Sequence, residues 1–196
     1  MLSAIRPAIV STVFFTLLLG LGYPLAVTEA ARALTPFQAN GSLIRDKSGQ
    51  IIGSALIAQG FTKPEYLHPR PSAAGKGYDA TSSGGSNLGP LNPDLIKRVK
   101  TDTDALRKED GATVIPADAV TTSGSGLDPD VSPANAHMQA ARIALARGVD
   151  KAEVQAVIDQ NTTGPTWGFL GQPRVNVLKV NLALDARYPV GHVPAR

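Results

Sequence analysis

Few side chains in this sequence have the types and spacing that catalysis requires. The histidines are His68, His137 and His192, and there is no cysteine. Zinc sites take Cys and His ligands at short, regular spacing, and these histidines match no such pattern. The sequence therefore predicts no metal site.

A glycine- and serine-rich segment offers phosphate chemistry, because backbone N–H groups can approach a phosphate closely where glycine is present. The segment consists of Ser123, Gly124, Ser125 and Gly126. A Walker-type loop requires Lys before Ser or Thr, which is absent here. The strand-to-helix setting of a hydrolase nucleophile is also absent. The alternative interpretation is a flexible turn that precedes a helix.

Two carboxylates, Asp128 and Asp130, flank Pro129. Two carboxylates without a third oxygen ligand do not make a calcium loop. Next to proline, both residues favour Asx-type turns. A second hypothesis is that they edge a vestibule in which negative charge raises the local cation concentration.

Residues 62–92 form a long predicted loop that carries another candidate set. The segment lacks periodicity and is rich in Gly, Pro and Ser, and loops of this length are usually functional or disordered. Arg70 could bind an anion and His68 could transfer a proton, with Ser72 beside them. The alternative is that the neighbouring prolines stiffen a loop for packing.

Periodicity and capping residues predict the elements that would position these groups. Alternation predicts a hairpin from Leu43 to Ile57, and a strand that includes Val175 and Leu184. Three helices are predicted from N-caps, first-turn prolines and terminal glycines. They run from the Asn92 cap to Gly111, from the Ser132 cap to Gly148, and onward from an Asp150–Glu153 capping box. In the second of these, Met138, Ala141 and Leu145 are expected to face inward.

Composition limits the class of protein. The 196 residues carry a net charge of +3, with Lys and Arg dispersed, which does not predict a nucleic-acid surface. The 19 Gly and 15 Pro favour a loop-rich α+β fold. We expect an N-terminal segment, residues 1–34, a single α+β domain at residues 35–187 and a mobile tail at residues 188–196.

The N-terminal segment contains a charge-free run from Pro7 to Thr28. As a helix it would measure roughly 33 Å, enough to cross a hydrocarbon core of about 30 Å. The h-region of a secretory signal is only about 7 to 15 residues long. A retained transmembrane helix at about residues 8–28 is therefore favoured over a cleaved signal peptide.

Flanking charges predict the orientation of this helix. Arg6 and the α-amino group lie on the N-terminal side, whereas Glu29 and Arg32 nearly cancel on the other. The positive-inside rule then places the N-terminus in the cytoplasm and the domain outside the membrane.

Small residues recur every four positions along the predicted transmembrane helix. These residues, Ala4, Ala8, Thr12, Thr16 and Gly20, form a stripe where another membrane helix could approach. The docking role is assigned to Ala8, Thr12, Thr16 and Gly20. Ala and Thr are also common in anchors that dock nothing.

Seven ordered blocks of the sequence follow a common pattern, and they occupy residues 38–44, 53–61, 70–73, 83–88, 92–95, 120–136 and 168–185. They match motifs of the type QANGSLI, GSALIAQ.F, RPSA, SGGSNL, NP.L, VT.SGSGLDP.ISP..A and G.LG.P.VNVL.LNLALD. Together these blocks resemble the C subunit of the Kdp-type potassium-transporting ATPase of bacteria and archaea.

The resemblance implies a non-catalytic accessory subunit in the cell membrane. Its implied partners are a potassium-channel-like subunit, an ATP-hydrolysing P-type subunit and a small single-span subunit, besides the lipid bilayer. The family is described as a catalytic chaperone that raises the ATP affinity of the P-type subunit. No tightly bound cofactor is implied, and ATP would act through the complex.

The resemblance also suggests nucleotide-related residues, since Ser123 to Gly126, with Gln139 on the following helix, have been likened to an ABC-transporter signature loop. ATP is cytoplasmic, whereas the resemblance and the charge count both place the domain outside. Remote coupling to ATP affinity is therefore preferred over direct contact. The alternative function is a stand-alone, membrane-anchored extracytoplasmic enzyme or binding protein that uses His68, Arg70 and Ser72.

Overall fold

The computed structural model describes residues 2–190, which divide into two compact units between Ile52 and Gly53. His192 and the rest of the predicted tail beyond residue 190 lie outside the described residues. The fold is mixed helix and sheet, as predicted.

The first unit consists largely of one long apolar helix, preceded by a 3₁₀ turn at Leu2–Ala4. Helices α1 (Ile5–Leu17) and α2 (Tyr23–Leu34) are joined by a π-helical turn at Leu18–Gly22. Together they make a continuous helix, Ile5–Leu34, that is long and apolar enough to cross a membrane. Neither α1 nor α2 contains a buried residue.

A short helix and a hairpin follow the long helix. Helix α3 is Pro36–Ala39, and strand β1 (Leu43–Arg45) pairs with β2 (Ile51–Ser54). The hairpin is confirmed, but the prediction that its second strand extends to Ile57 is wrong. The hydroxyl oxygen of Ser54 accepts a hydrogen bond from the N–H of Leu56, which turns the chain out of the sheet.

In the second unit, residues 62–92 contain neither helix nor strand, as predicted. Helix α4 (Pro93–Asp110) then begins with the predicted cap, because the Asn92 side chain accepts a hydrogen bond from the N–H of Asp94. It ends at Gly111, whose φ of 64° is left-handed and therefore suits glycine. A single turn, α5 (Ala117–Val120), follows.

Two further helices have the predicted boundaries. Helix α6 (Pro133–Arg147) begins at the Ser132 cap and ends at Gly148. Helix α7 (Lys151–Gln160) has both hydrogen bonds of the capping box between Asp150 and Glu153. Helix α7 packs against α6 and buries Val154, Val157 and Ile158.

The predicted inward face of α6 is wrong. Leu145 is 86% exposed, Ala141 is exposed and Met138 is half-buried. The buried face carries polar residues as well as apolar ones: Asn135, Ala136, Gln139, Ala140, Arg142, Ile143, Ala144 and Arg147. The apolar pattern failed because this helix turns charged and amide groups inward, where they bind the backbone of another segment.

The predicted C-terminal strand is mostly a helix. Strand β5 (Arg174–Asn176) is the centre of an antiparallel sheet between β3 (Asp130–Val131) and β4 (Thr162–Thr163). Helix α8 (Val177–Arg187) begins at once, because the Asn176 side chain accepts a hydrogen bond from the N–H of Lys179. Val177, Val180 and Leu184 are three and four residues apart, which also places them on one face of a helix.

Helices α6, α7 and α8 and strand β5 enclose the main core. Its buried residues are Leu67, Val131, Ala136, Ala140, Ile143, Ala144, Val154, Val157, Ile158, Val175, Val177, Val180 and Leu184. Leu67 comes from the irregular loop, so the loop is part of the core. Tyr188, the first residue of the predicted tail, also packs against this core.

The orientation of α6 predicts that two nearby aliphatic residues contribute very different amounts to the free energy of unfolding. Ile143→Ala removes a fully buried side chain and should lower the free energy of unfolding by about 2–5 kcal/mol. Leu145→Ala should change it by less than about 0.5 kcal/mol. Denaturant titration of the full chain in detergent measures both, and similar losses would contradict this orientation.

Candidate functional site

Four polar side chains from helices α6 and α8 converge on residues 64–68, which we call the clamped segment. This segment lies in no strand, yet Leu67 within it is fully buried. A buried backbone must find hydrogen-bond partners. Here side chains supply them.

Two amide side chains each bind one residue of the clamped segment at both its N–H and its C=O. The side chain of Asn181, on α8, accepts from the N–H of Leu67 at 2.7 Å and donates to its carbonyl at 3.0 Å. Gln139, on α6, does the same for His68 at 2.8 and 3.1 Å. Each amide thus makes the two hydrogen bonds that the backbone of a neighbouring strand would make.

Two arginines of α6 bind the remaining carbonyl groups. Arg142 donates to the carbonyls of Pro64 and Tyr66, and Arg147 donates to that of Glu65. The Arg147 guanidinium also lies 5.2 Å from the centre of the Tyr66 ring. These contacts hold the whole segment against α6.

Carboxylates balance the buried arginines. Arg142 pairs with Asp110 at 2.9 Å, and Arg147 pairs with Asp185 at 2.8 Å. The Asp110 side chain is fully buried, and this burial raises its pKa against the opposing effect of Arg142. Since a buried charge without a partner is costly, each pair depends on both members.

Gln139 binds the backbone of His68, and the imidazole ring of His68 contacts the backbone of Lys63. The ring Nε2 lies 2.9 Å from the carbonyl of Lys63, which accepts from it. Burial, with a smaller effect of Arg142, lowers the pKa of His68. The neutral form is therefore favoured near pH 7.

Gln139 has little capacity left for a ligand. It is 3% exposed, and besides His68 it accepts from Arg142 at 2.6 Å and donates to Asn135 at 2.9 Å. These contacts use both amide hydrogens and place two donors on its oxygen. The predicted nucleotide-related residue Gln139 is therefore in contact with the clamped segment, and its role towards a nucleotide stays a prediction.

The Gly/Ser segment packs against a different part of the long loop. The carbonyl of Ser125 accepts from the N–H of Gly84 at 2.8 Å, and that of Gly126 accepts from the Ser72 hydroxyl at 2.6 Å. Gly126 has a φ of 66°, and a Cβ there would lie 2.6 Å from the backbone nitrogen of Ala74. Glycine is therefore required at this position for packing.

Ser72 and Arg70 are also engaged within the fold. The Ser72 hydroxyl oxygen accepts from the N–H groups of Ala74 and Tyr78. Arg70 pairs with Asp128 at 2.9 Å. The structure does not gather His68, Arg70 and Ser72 around an open site, since each is committed to a separate set of contacts.

Asp128 and Asp130 line a cleft of about 490 Å³. The Asp128 side chain accepts from the N–H of Asp130, which is the predicted Asx-type turn. Asp130 lies 3.3 Å from Arg174, and burial raises its pKa. Both carboxylates therefore already have a cationic partner.

The small-residue stripe lies on the long helix of the first unit. Ala8, Thr12, Thr16 and Gly20 are all exposed, and a Cβ added at Gly20 would meet no atom within 4 Å. Among the described residues no group of three or more His, Asp or Glu side chains is arranged to hold a metal ion.

We call the side chains that bind the clamped segment, together with the carboxylates paired to them, the clamp. The sequence did not predict a role for four of its residues, Asn181, Arg142, Arg147 and Asp110. One signal was present, because Asn135, Gln139 and Arg142 follow the spacing i, i+4, i+7 of a single helix face. A polar stripe of that kind is ordinarily read as solvent-exposed. Only the position of the clamped segment reveals that it is buried.

The chain is similar to known proteins along nearly its whole length. A family model described as "KdpC: K+-transporting ATPase, c chain" matches residues 5–186. The chain is 69% identical over 189 residues to the potassium-transporting ATPase KdpC subunit of Caulobacter sp. (strain K31), covering 96% of each chain. It is 59% identical over 196 residues to that of Beijerinckia indica subsp. indica, covering 99% of each. These matches confirm the resemblance inferred from the seven blocks.

Replacing Gln139 distinguishes a structural role from a ligand-binding one. Gln139→Ala leaves the half-buried N–H and C=O of His68 without their side-chain partner, so we expect the free energy of unfolding to fall by about 1–3 kcal/mol. Gln160→Ala, at the exposed end of α7, is the matched control and should change it by less than about 0.5 kcal/mol. Unchanged stability for Gln139→Ala, combined with weaker nucleotide binding, would contradict the structural role.

Proposed function

The chain belongs to the KdpC family, the c chain of the K+-transporting ATPase, and on that basis we propose that it is a non-catalytic accessory subunit of a potassium-transporting ATPase complex. Its work in that complex would be assembly and regulation. The observation that carries this proposal is the family match over residues 5–186. The engagement of His68, Arg70 and Ser72 within the fold supports a non-catalytic role.

Assembly would be mediated in part by the long apolar helix. In a bilayer, helices associate by close packing of small residues rather than by the hydrophobic effect. Ala8, Thr12, Thr16 and Gly20 would let a helix of the channel-like, ATP-hydrolysing or small single-span subunit approach closely. The first unit buries no side chain of α1 or α2 by itself, which supports a partner for this helix.

The second unit would lie outside the cytoplasmic membrane. Arg6 precedes the apolar run, whereas Glu29 and Arg32 pair at 2.7 Å at its other end and so contribute no net charge. The positive-inside rule then favours a cytoplasmic N-terminus. In this location Asp128 and Asp130 would attract cations only weakly, because each pairs with an arginine.

An effect on ATP affinity would be exerted at a distance. Gln139 is buried against residues 64–68, and Gly126 packs against Ala74, which supports a role in the fold for the residues likened to a nucleotide loop. A subunit that binds one conformation of a pump more tightly than another changes ATP affinity without touching ATP. No cofactor of its own is needed for this.

Bulky residues in the stripe should weaken assembly. Thr16→Leu combined with Gly20→Leu leaves the isolated helix intact, since Gly20 has open space, but prevents close approach of a partner helix. Because close packing drives the association of helices in a bilayer, recovery of the other subunits by co-purification should fall about tenfold, equivalent to about 1.4 kcal/mol. Phe14→Trp with Leu18→Phe, which have the same i, i+4 spacing, add bulk on the face opposite the stripe and serve as the control. Full recovery with the first pair would refute the docking role of the stripe.

The side of the membrane on which the second unit lies distinguishes a remote effect on ATP affinity from direct contact with ATP. A reporter fused after Arg196 that is active only outside the cytoplasm should be active, and a reporter that is active only inside should be silent. In the intact complex, the chain should still lower the ATP concentration needed for half-maximal hydrolysis. A reporter that is active only in the cytoplasm would overturn both the orientation and remote coupling.

A further inference from the structure

The hairpin between β4 and β5 carries an exposed aromatic tip, which we define as Trp167, Phe169 and Leu170. Trp167 is 81% exposed and Phe169 is 73% exposed, and their rings lie 6.5 Å apart. Trp167 is the single tryptophan of the chain. Large apolar side chains that cluster in the open mark an interaction site more often than scattered ones do.

The tip is held in a fixed and strained conformation. The N–H groups of Thr166 and Leu170 each donate to the other residue's carbonyl, at 2.8 and 2.9 Å. Trp167 has a φ of 55°, in the left-handed region that is unfavourable for a bulky residue. Trp167 thus keeps an unfavourable backbone conformation while its indole ring is exposed. A side chain that is already held in this position loses less conformational entropy when it binds a partner.

The charge pattern indicates what kind of partner the tip fits. Residues 160–173 contain no charged side chain, and the first one after them, Arg174, is engaged by Asp130. Amphipathic segments that bind a membrane surface combine apolar residues with Lys or Arg on their polar side, which attract anionic lipids. A fluid bilayer also accepts any loop shape and gives no reason for a strained one. A protein pocket of fixed shape, apolar and uncharged, fits both observations.

We propose that the aromatic tip inserts into an apolar, uncharged pocket on another protein subunit of the ATPase complex. Trp167 is the central contact and Phe169 and Leu170 border it, because tryptophan is enriched among the residues that dominate binding at interfaces. This inference rests on the proposed function as an accessory subunit. It adds a second attachment point, separate from the transmembrane helix.

The test replaces Trp167 in the full chain within the complex. Trp167→Asn removes the indole and introduces a residue that tolerates a left-handed φ, so the chain itself should keep or gain stability. Dissociation of the chain from the purified complex should nevertheless become at least about tenfold faster. Leu145→Asn, at another exposed apolar residue, is the matched control and should leave dissociation unchanged. A photo-crosslinking residue at position 167 identifies the partner.

Each outcome decides the inference. A crosslink from position 167 to a different protein subunit, with faster dissociation of Trp167→Asn, supports it. A crosslink to lipid or to a second copy of this chain, or unchanged dissociation, overturns it while the accessory role stands. If the unaltered chain does not co-purify with an ATP-hydrolysing subunit, the proposed function fails and this inference fails with it.

Discussion

The fold depends on how the backbone of residues 64–68 obtains its hydrogen bonds. This segment places Leu67 in the core without belonging to a sheet, so no ladder satisfies its N–H and C=O groups. The side-chain amides of Asn181 and Gln139 make the hydrogen bonds that a neighbouring strand would otherwise make. Arg142 and Arg147 bind the remaining carbonyl groups. Without these side chains, buried peptide groups would be left unpaired at a cost of about 1–3 kcal/mol each.

This arrangement explains what several polar side chains of the described residues do in the fold. The guanidinium and amide groups that would bind a substrate elsewhere are oriented towards the backbone here. Their carboxylate partners, Asp110 and Asp185, neutralise the arginines rather than activating a nucleophile. These contacts organise the second unit, and under the proposed function it would act through the surface that it presents to other subunits.

The sequence predicted the elements that have local signals. Asn92, Ser132 and the Asp150–Glu153 box marked helix starts correctly, because capping involves residues that are close in the chain. The C-terminal segment was misjudged since Val177, Val180 and Leu184 suit a helix, while shorter stretches of it alternate like a strand. The clamp could not be predicted, because Asn181 and Leu67 are paired across 114 positions of sequence. Only the folded arrangement shows that the polar face of α6 is buried.

A chain of this kind can change the behaviour of a pump with modest energies. A tenfold change in ATP affinity corresponds to about 1.4 kcal/mol of difference between its binding to two conformations of the complex. A single well-packed contact at an interface can supply that difference, so no catalytic group is required. A chain that bound both conformations equally tightly would contribute to assembly but would not change ATP affinity. To discriminate between conformations the second unit would have to keep its shape, because a surface that deformed to fit both would lose that difference.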